Sequence, residues 1–232
     1  MKKYLVVVGL LFSQGAFSQI SNIDFNGAPA RLTAYSDIDG SPYLFADWAK
    51  ADIGTTNAGL KEDVAYRFNI YDNELEVINE AGNKIYLNKD YVEYVVLQRP
   101  SILIAEGTPG LLPNLLMKKG FDYIKGIGPK DLVNVLAEGE KYSVVRKFYA
   151  DLVTPPKNSY APTPGRMFVF EESYYLINAK MEVVSVNNKT NSFLKAMNPA
   201  DLEKAKEILK VGKYDLSRED HIVLFFTELN KI

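Results

Sequence analysis

The chain has 232 residues, 47% hydrophobic and 24% charged, with 15 Tyr and 12 Phe, one Trp, one His and no Cys. That balance excludes a disordered chain and supplies enough residues for a substantial core, while the missing cysteines exclude disulfide staples, thiolate metal ligands and cysteine nucleophiles. A formal net charge of −2 offers little to a phosphate backbone, whose affinity comes mostly from basic side chains.

The first residues, MKKYLVVVGLLFSQGAFSQ, begin with Lys2 and Lys3, continue through an apolar run from Tyr4 to Phe12, and end in small and polar residues. This is the pattern of a signal peptide over residues 1–18, with Ala16-Phe17-Ser18 setting cleavage before Gln19. The run is too short for the roughly 20 residues of a spanning helix. Without a cysteine there is no lipid anchor at the cleavage site. Removing the peptide takes two lysines from the 27 basic residues, leaving 25 against 29 acids, a net charge of −4. The expected product is exported, periplasmic or secreted, with no transmembrane segment in the mature chain.

Asp37-Ile38-Asp39-Gly40 followed by Ser41 has the oxygen spacing that opens a calcium loop. The twelfth position is Trp48, where that site requires a bidentate Glu, and Asp with Gly suits an ordinary turn. From Val64 onward the pattern is a β-meander. VAYRFNIY alternates, Asp72-Asn73 turns into ELEVIN, residues 80–83 turn into KIYL, and Lys89-Asp90 precedes YVEYVVL. SILIAEG (101–107) reads as a further strand, and LLPNLLMKKG (111–120) as a helical turn or a connecting loop.

Residues 125–139, KGIGPKDLVNVLAEG, carry Gly126-Ile127-Gly128-Pro129-Lys130, the local pattern of a helix-hairpin-helix element. In such elements, amides of the glycine turn and the next helix N-terminus hold phosphate oxygens. Gly126, Gly128 and Lys130 are therefore the candidate nucleic-acid contacts of a module over 121–138. Leu132 occupies a place normally kept small, the copy is single, and the flanking runs look like strands. A loop followed by a short helix over 131–138 is the plainer expectation.

KYSVVRKFYADLV is extended, and TPPKNSYAPTPG (154–165) is a proline-rich loop. RMFVFEESYYLINAKMEVVSV gives two or three short strands with turns near Glu171-Glu172 and Asn178-Ala179. Asn198-Pro199 opens a helix that Gly212 ends, and Ser217 with Asp220 makes a near capping box for HIVLFFTEL. The fold expected is α+β: an antiparallel β-meander sheet or barrel-like core over 19–190, with two C-terminal α-helices in 191–232 packed on it.

Gly40-Ser41-Pro42-Tyr43-Leu44, the RFNIYDNELEV hairpin, and an ending with LEKAKEILK and SREDHIVLFFTELNKI together resemble a group of uncharacterised exported β-rich proteins from Bacteroidota-type bacteria. The resemblance covers much of the mature chain and implies a cell-envelope or secreted location. It implies no reaction and no catalytic residues.

Catalytic sets are sparse. His221 is the one histidine, beside Glu219 and Asp220, and no Gly-x-Ser-x-Gly elbow supplies a partner nucleophile. The pairs Glu171-Glu172 and Glu219-Asp220 would serve glycosidase chemistry only across a cleft. Tyr86, Tyr91, Tyr94, Tyr174 and Tyr175 could form a stacking surface for sugars or peptides, or face a core. Lys204, Lys206 and Lys210 alternate with Glu203 and Glu207 as on a solvated helix face. The leading expectation is a non-enzymatic cell-envelope protein acting by binding or assembly, with an envelope protein or glycan as partner and no cofactor. A carboxylate-dependent hydrolase acting on glycans is the alternative, and a DNA-binding protein the third reading.

Overall fold

A computed structural model of the chain describes residues 25, 27–30, 35–105, 109–154 and 165–231. The expected signal peptide and all but the end residues of the proline-rich stretch lie outside the described residues. Among the described residues, ten strands form one sheet with every neighbouring pair antiparallel. They are β1 (Ala49–Thr55), β2 (Gly59–Asn69), β3 (Glu74–Ile78), β4 (Lys84–Tyr86), β5 (Val92–Gln98), β6 (Asn114–Lys118), β7 (Val133–Ala137), β8 (Tyr142–Val153), β9 (Met167–Asn178) and β10 (Val183–Val186). The helices are α1 (Ser101–Ala105), α2 (Thr190–Ala196), α3 (Leu202–Gly212) and α4 (Glu219–Leu229). The architecture is α+β, and the sheet is open, not a closed barrel. Among the described residues no helix is long and apolar enough to cross a membrane.

The order β10-β9-β8-β7-β6-β5-β1-β2-β3-β4 is two meanders joined at β1. The expected run from KIYL directly into YVEYVVL is thereby corrected. β5 pairs with β1 and β6, not β4, because β1, which the alternation after Val64 does not include, takes the place beside β5 and puts β2 and β3 between it and β4. The β2–β3 turn forms as its residues dictate. Asn69 Oδ1 accepts the N–H groups of Tyr71 and Asp72 at 3.0 and 3.1 Å, and Asn73 takes a left-handed φ of 53° that Asn tolerates.

Four further expectations are corrected. SILIAEG supplies helix α1, not a strand, since Pro100 before it cannot donate to a ladder and its carbonyl instead accepts the Leu103 N–H. Residues 111–120 supply strand β6, whose Leu115 and Met117 point inward with no exposure. The helix expected over 131–138 is strand β7, buried throughout between β6 and β8, the setting in which a Val-rich run favours pleated packing. Glu171-Glu172 is not a turn. It lies inside β9, which pairs with β8 along twelve consecutive residues.

At the helices, Pro199 opens a 3₁₀ turn (Pro199–Asp201) that runs into α3, and Asn198 makes no side-chain cap. α3 ends at Gly212, with Lys213 in the left-handed conformation. Ser217 does not cap α4. Arg218 stands at the cap, and the Asp220 N–H is satisfied by the Gly110 carbonyl.

The sheet curls strongly. β9 and β2 stand six strand steps apart, about 29 Å on a flat sheet at ~4.8 Å per step. Residues 39–43, which span at most about 14 Å, nevertheless touch both. Asp39 bridges Met167, and Tyr43 bridges Asn69. Gly40 makes the passage possible, with φ at +79° and no room for a Cβ, which would sit 2.6 Å from the Phe168 carbonyl oxygen. The Gly-Ser-Pro-Tyr-Leu element is thus a strap across the curl.

Packing divides into three clusters. One lies inside the curl and includes Phe45, Ile53, Phe68, Leu97, Met117, Phe148 and Phe168. A second joins α2, α3 and α4 to the sheet through Phe193, Ile208, Phe225 and Phe226 on Val144, Tyr174 and Leu176. The third, on the opposite face, packs Ile124 and Ile127 over Val133, Val135, Val145 and Ile177.

Candidate functional site at the sheet–helix seam

A cavity of about 420 Å³ opens between the first two clusters, within the usual size of ligand pockets. Its floor follows from strand alternation. Phe170, Glu172 and Tyr174 share one face of β9, and Arg146 and Phe148 share the same face of β8, with Arg146 opposite Tyr174 and Phe148 opposite Glu172. The walls are Leu44 and Phe45 from the strap, Leu103 of α1, residues 109–111, Asn188 after β10, and Ser217, Arg218 and Glu219 at the start of α4.

At the base lies a buried ion network. Arg146, 2% exposed, donates from Nη1 to Glu219 Oε1 at 2.7 Å and to the Tyr174 hydroxyl at 3.1 Å, with Glu172 Oε2 at 3.4 Å. Its Nε and Nη2 donate to Asn134 Oδ1 at 3.1 and 2.9 Å, and the guanidinium lies 4.3 Å from the Phe148 ring centre. Glu219, 5% exposed, also accepts Arg99 Nη2 on both oxygens at 3.0 and 2.9 Å and the Leu112 N–H at 2.9 Å. Burial alone would raise its pKa, but Arg146, the Leu112 amide and Arg99 outweigh that and hold the carboxyl below its ordinary value. Burial disfavours charge on Arg146 too, yet Tyr174, Glu219 and Glu172 keep its pKa above the ordinary arginine value.

Tyr174 donates to Glu172 Oε1 at 3.0 Å, and burial pushes its phenol up to about 12, Arg146 pulling the other way. Arg218 at the rim is held by two bonds to Asp220, 3.1 and 2.8 Å. Asn188 donates to the Ser217 carbonyl, while its own Oδ1 is buried without a hydrogen-bond partner. Phe170 is 50% exposed. The cavity thus presents an aromatic face and one accessible acceptor, the partly engaged Glu172.

The sequence-derived candidates fall elsewhere or into new company. Gly126 has a φ of +86°, as a turn requires, but its segment covers the far face of the sheet. The Gly128 N–H already donates to Asp131 Oδ2 at 2.8 Å, Lys130 pairs with Asp90 at 2.6 Å, and a strand follows in place of a helix N-terminus. His221 is outside the cavity lining, its Nδ1 accepting the Asp215 N–H at 2.8 Å. Tyr174 and Tyr175 occupy opposite faces, with Tyr174 on the cavity floor and Tyr175 against the far cluster, so no common tyrosine surface forms between them. Glu172 and Glu219 converge on one Arg146 nitrogen, a pairing across 47 positions that neither adjacent pair suggested.

Arg146 stands outside the sequence-derived candidates. It occupies an inward position of the alternation Val144-Arg146-Phe148, and an arginine on a core face is itself the signal of a buried partner. No protein-family model, curated protein or solved structure matches the chain.

Proposed function

We propose that the protein is a non-enzymatic binding protein of the cell envelope that holds a small ligand in the cavity between its sheet and its C-terminal helices. The observation that carries the binding half is Glu219. A carboxylate whose two oxygens already accept from Arg99, Arg146 and the Leu112 amide has no lone pair free to attack a substrate, and a depressed pKa unfits it as a general acid. Glu172, the other carboxylate of the cavity, then lacks a catalytic partner. The envelope half rests on the basic-apolar-small pattern of residues 1–18 and on the resemblance drawn from the Gly-Ser-Pro-Tyr-Leu strap, the hairpin and the closing helices.

Native mass spectra of the full chain isolated from its own envelope test this reading. A small non-covalent adduct is expected, and Ser217→Trp, a change at an exposed position of the cavity wall, should remove it. The specific observation that would favour hydrolysis is the convergence of Glu172 and Glu219 on Arg146. Multiple-turnover cleavage of a glycan, abolished by Glu172→Gln, would replace binding with that reaction.

A further inference from the structure

Resting on that binding reading, we infer that the ligand is a short extended peptide, added as a strand to the open edge of β9 at Phe170 and Glu172, with one apolar side chain in the cavity. The outer edge of β9 is only partly covered. β10 pairs with it over residues 174–177. At the other end Asp39 of the strap bridges Met167, and the Phe168 N–H donates to the Asp39 carbonyl. The Asn178 N–H points to the same edge, donating to the Glu182 carbonyl, so strand alternation turns the N–H and C=O groups of Phe170 and Glu172 outward as well. Among the described residues nothing pairs with these four groups.

Residues 169–173 form a notch of about 17 Å at ~3.4 Å per residue, in one row of the sheet with β10 at one end and the strap at the other. After Val186 the chain leaves that row. The Asn187 N–H is satisfied by Ser192 Oγ and its carbonyl by the Lys189 N–H, and Asn188, next along, lines the cavity. The vacated row therefore opens onto the cavity. A backbone continuing the line of β10, antiparallel to β9, meets Phe170 and Glu172 with donors and acceptors at ladder spacing, as strand addition requires. Its residues opposite those two share their face of the sheet. The one opposite the half-exposed Phe170 joins a cavity that Leu44, Phe45 and Leu103 also line, which favours an apolar side chain. The one opposite Glu172 meets a partly exposed acceptor, which favours a hydroxyl.

Charge selects among strands. Glu171 is exposed on the opposite face of β9, with no ion pair among the described residues, so a lysine opposite it is favoured and an acid is disfavoured. The same charge turns away a second copy. Two such edges in antiparallel register would set Glu171 against Glu171, and the β10 and strap of each molecule would meet in one row. Charge on an open edge is a common shield against self-pairing. Here it leaves the edge to a basic strand.

Hydrogen exchange at individual amides of the full chain, stripped of any adduct, tests the assignment. In the free protein the Phe170 and Glu172 amides should exchange quickly, while those of Val169, Glu171 and Ser173, which point at β8, are protected. The blocked peptide Thr-Thr-Lys-Val-Thr, which sets Lys opposite Glu171 and Val opposite Phe170, should slow those two fast amides. Methylating the backbone nitrogens of its second Thr and its Val should abolish binding. Glu in place of its Lys should weaken binding about fivefold, and Glu171→Lys should reverse that preference. Peptide bound without slowing the two amides overturns the seat, and slowing driven by protein concentration alone gives the edge to a second copy and overturns the peptide. A native adduct that fragments as a peptide supports the assignment, whereas a saccharide or lipid adduct overturns it and leaves the binding function standing. Native protein that carries no adduct and binds no peptide overturns both proposals.

Discussion

Glu219→Gln is the most demanding perturbation of this fold. It preserves side-chain shape but removes the charge that two arginines share, and it places an amide donor against the Arg99 and Leu112 donors. Both partners are nearly inaccessible, with Arg146 at 2% and Glu219 at 5% exposure, so the guanidinium stays buried and keeps Asn134, Tyr174, the more distant Glu172 and at most a neutral amide oxygen in place of the carboxylate. Breaking one side of a buried pair costs about 3–5 kcal/mol, and at about 2–4 °C per kcal/mol for a chain of this size the melting temperature should fall by about 6–20 °C. Urea unfolding with the slope held constant is the assay.

The pH dependence has a fixed sign. The folded pKa of Glu219 lies below the ordinary value of 4.5, so as pH falls the unfolded chain takes up the proton first. The stabilisation is complete above the unfolded value and is lost as pH falls through the folded one. Glu219→Gln should lack this component. Glu171→Gln, one residue from Glu172 but exposed on β9, should change stability by no more than about 0.5 kcal/mol. Replacing Arg99, Arg146 and Glu219 together by Met, Met and Leu should recover much of the loss, since apolar groups of similar volume substitute well for a buried ion network. A loss below about 1 kcal/mol in Glu219→Gln, or a triple variant no more stable than Glu219→Gln, would refute this account of the seam.

Asn73→Ala should cost about 2–3 kcal/mol in urea unfolding, because Asn73 donates to the Leu132 carbonyl at 3.0 Å and accepts the Leu132 N–H at 2.8 Å, both bonds buried; Asn73→Asp, which keeps only the acceptor, should remain less stable than wild type. Burial and carboxylate partners push the Tyr43 and Tyr142 phenols up to about 12, so the unfolded chain ionises first and stability should fall as pH rises above 10, with ultraviolet difference titration of the folded protein finding these phenols still protonated where an exposed phenol has ionised. Gly110→Ala should lower stability by about 1–3 kcal/mol, since Gly110 has a φ of +91° and a Cβ would lie 2.6 Å from both Arg218 Nε and Asp220 Oδ1; thermal unfolding measures it.

What the sequence made legible divides by the range of the forces involved. Strands whose alternation and turns are local, such as β2 and β3 with Asp72-Asn73 between them, can be read directly, as can α3 with its apolar spacing. β7 could not be read as a strand from VNVLA alone, because a short apolar run takes its form from its neighbours, and β6 and β8 decide it. Glu171-Glu172 suggested a turn because charge breaks an apolar run. One of the two faces solvent and the other faces Arg146, so the break is an alternation inside a strand. The site was the least legible. Its strap, floor and helix wall come from residues spread between positions 44 and 219, and only the core-facing arginine at 146 left a local trace.

That arginine also explains why a cavity exists where it does. The cluster inside the curl and the cluster under the helices meet along β8 and β9, with Phe148 on one side and Val144 on the other. Had position 146 been apolar, the two could have packed into a single core and closed the seam. A guanidinium there needs acceptors from several directions, and Glu219 from α4, Asn134 from β7 and Tyr174 from β9 provide them. These directional bonds fix where α4 sits and leave room above the network that close packing would have filled. On this reasoning the network contributes specificity of docking more than net stability. Arg99→Met and Arg146→Met combined with Glu219→Leu should then allow a tighter seam, visible as slower amide exchange at Ser217 and Arg218 together with loss of ligand binding.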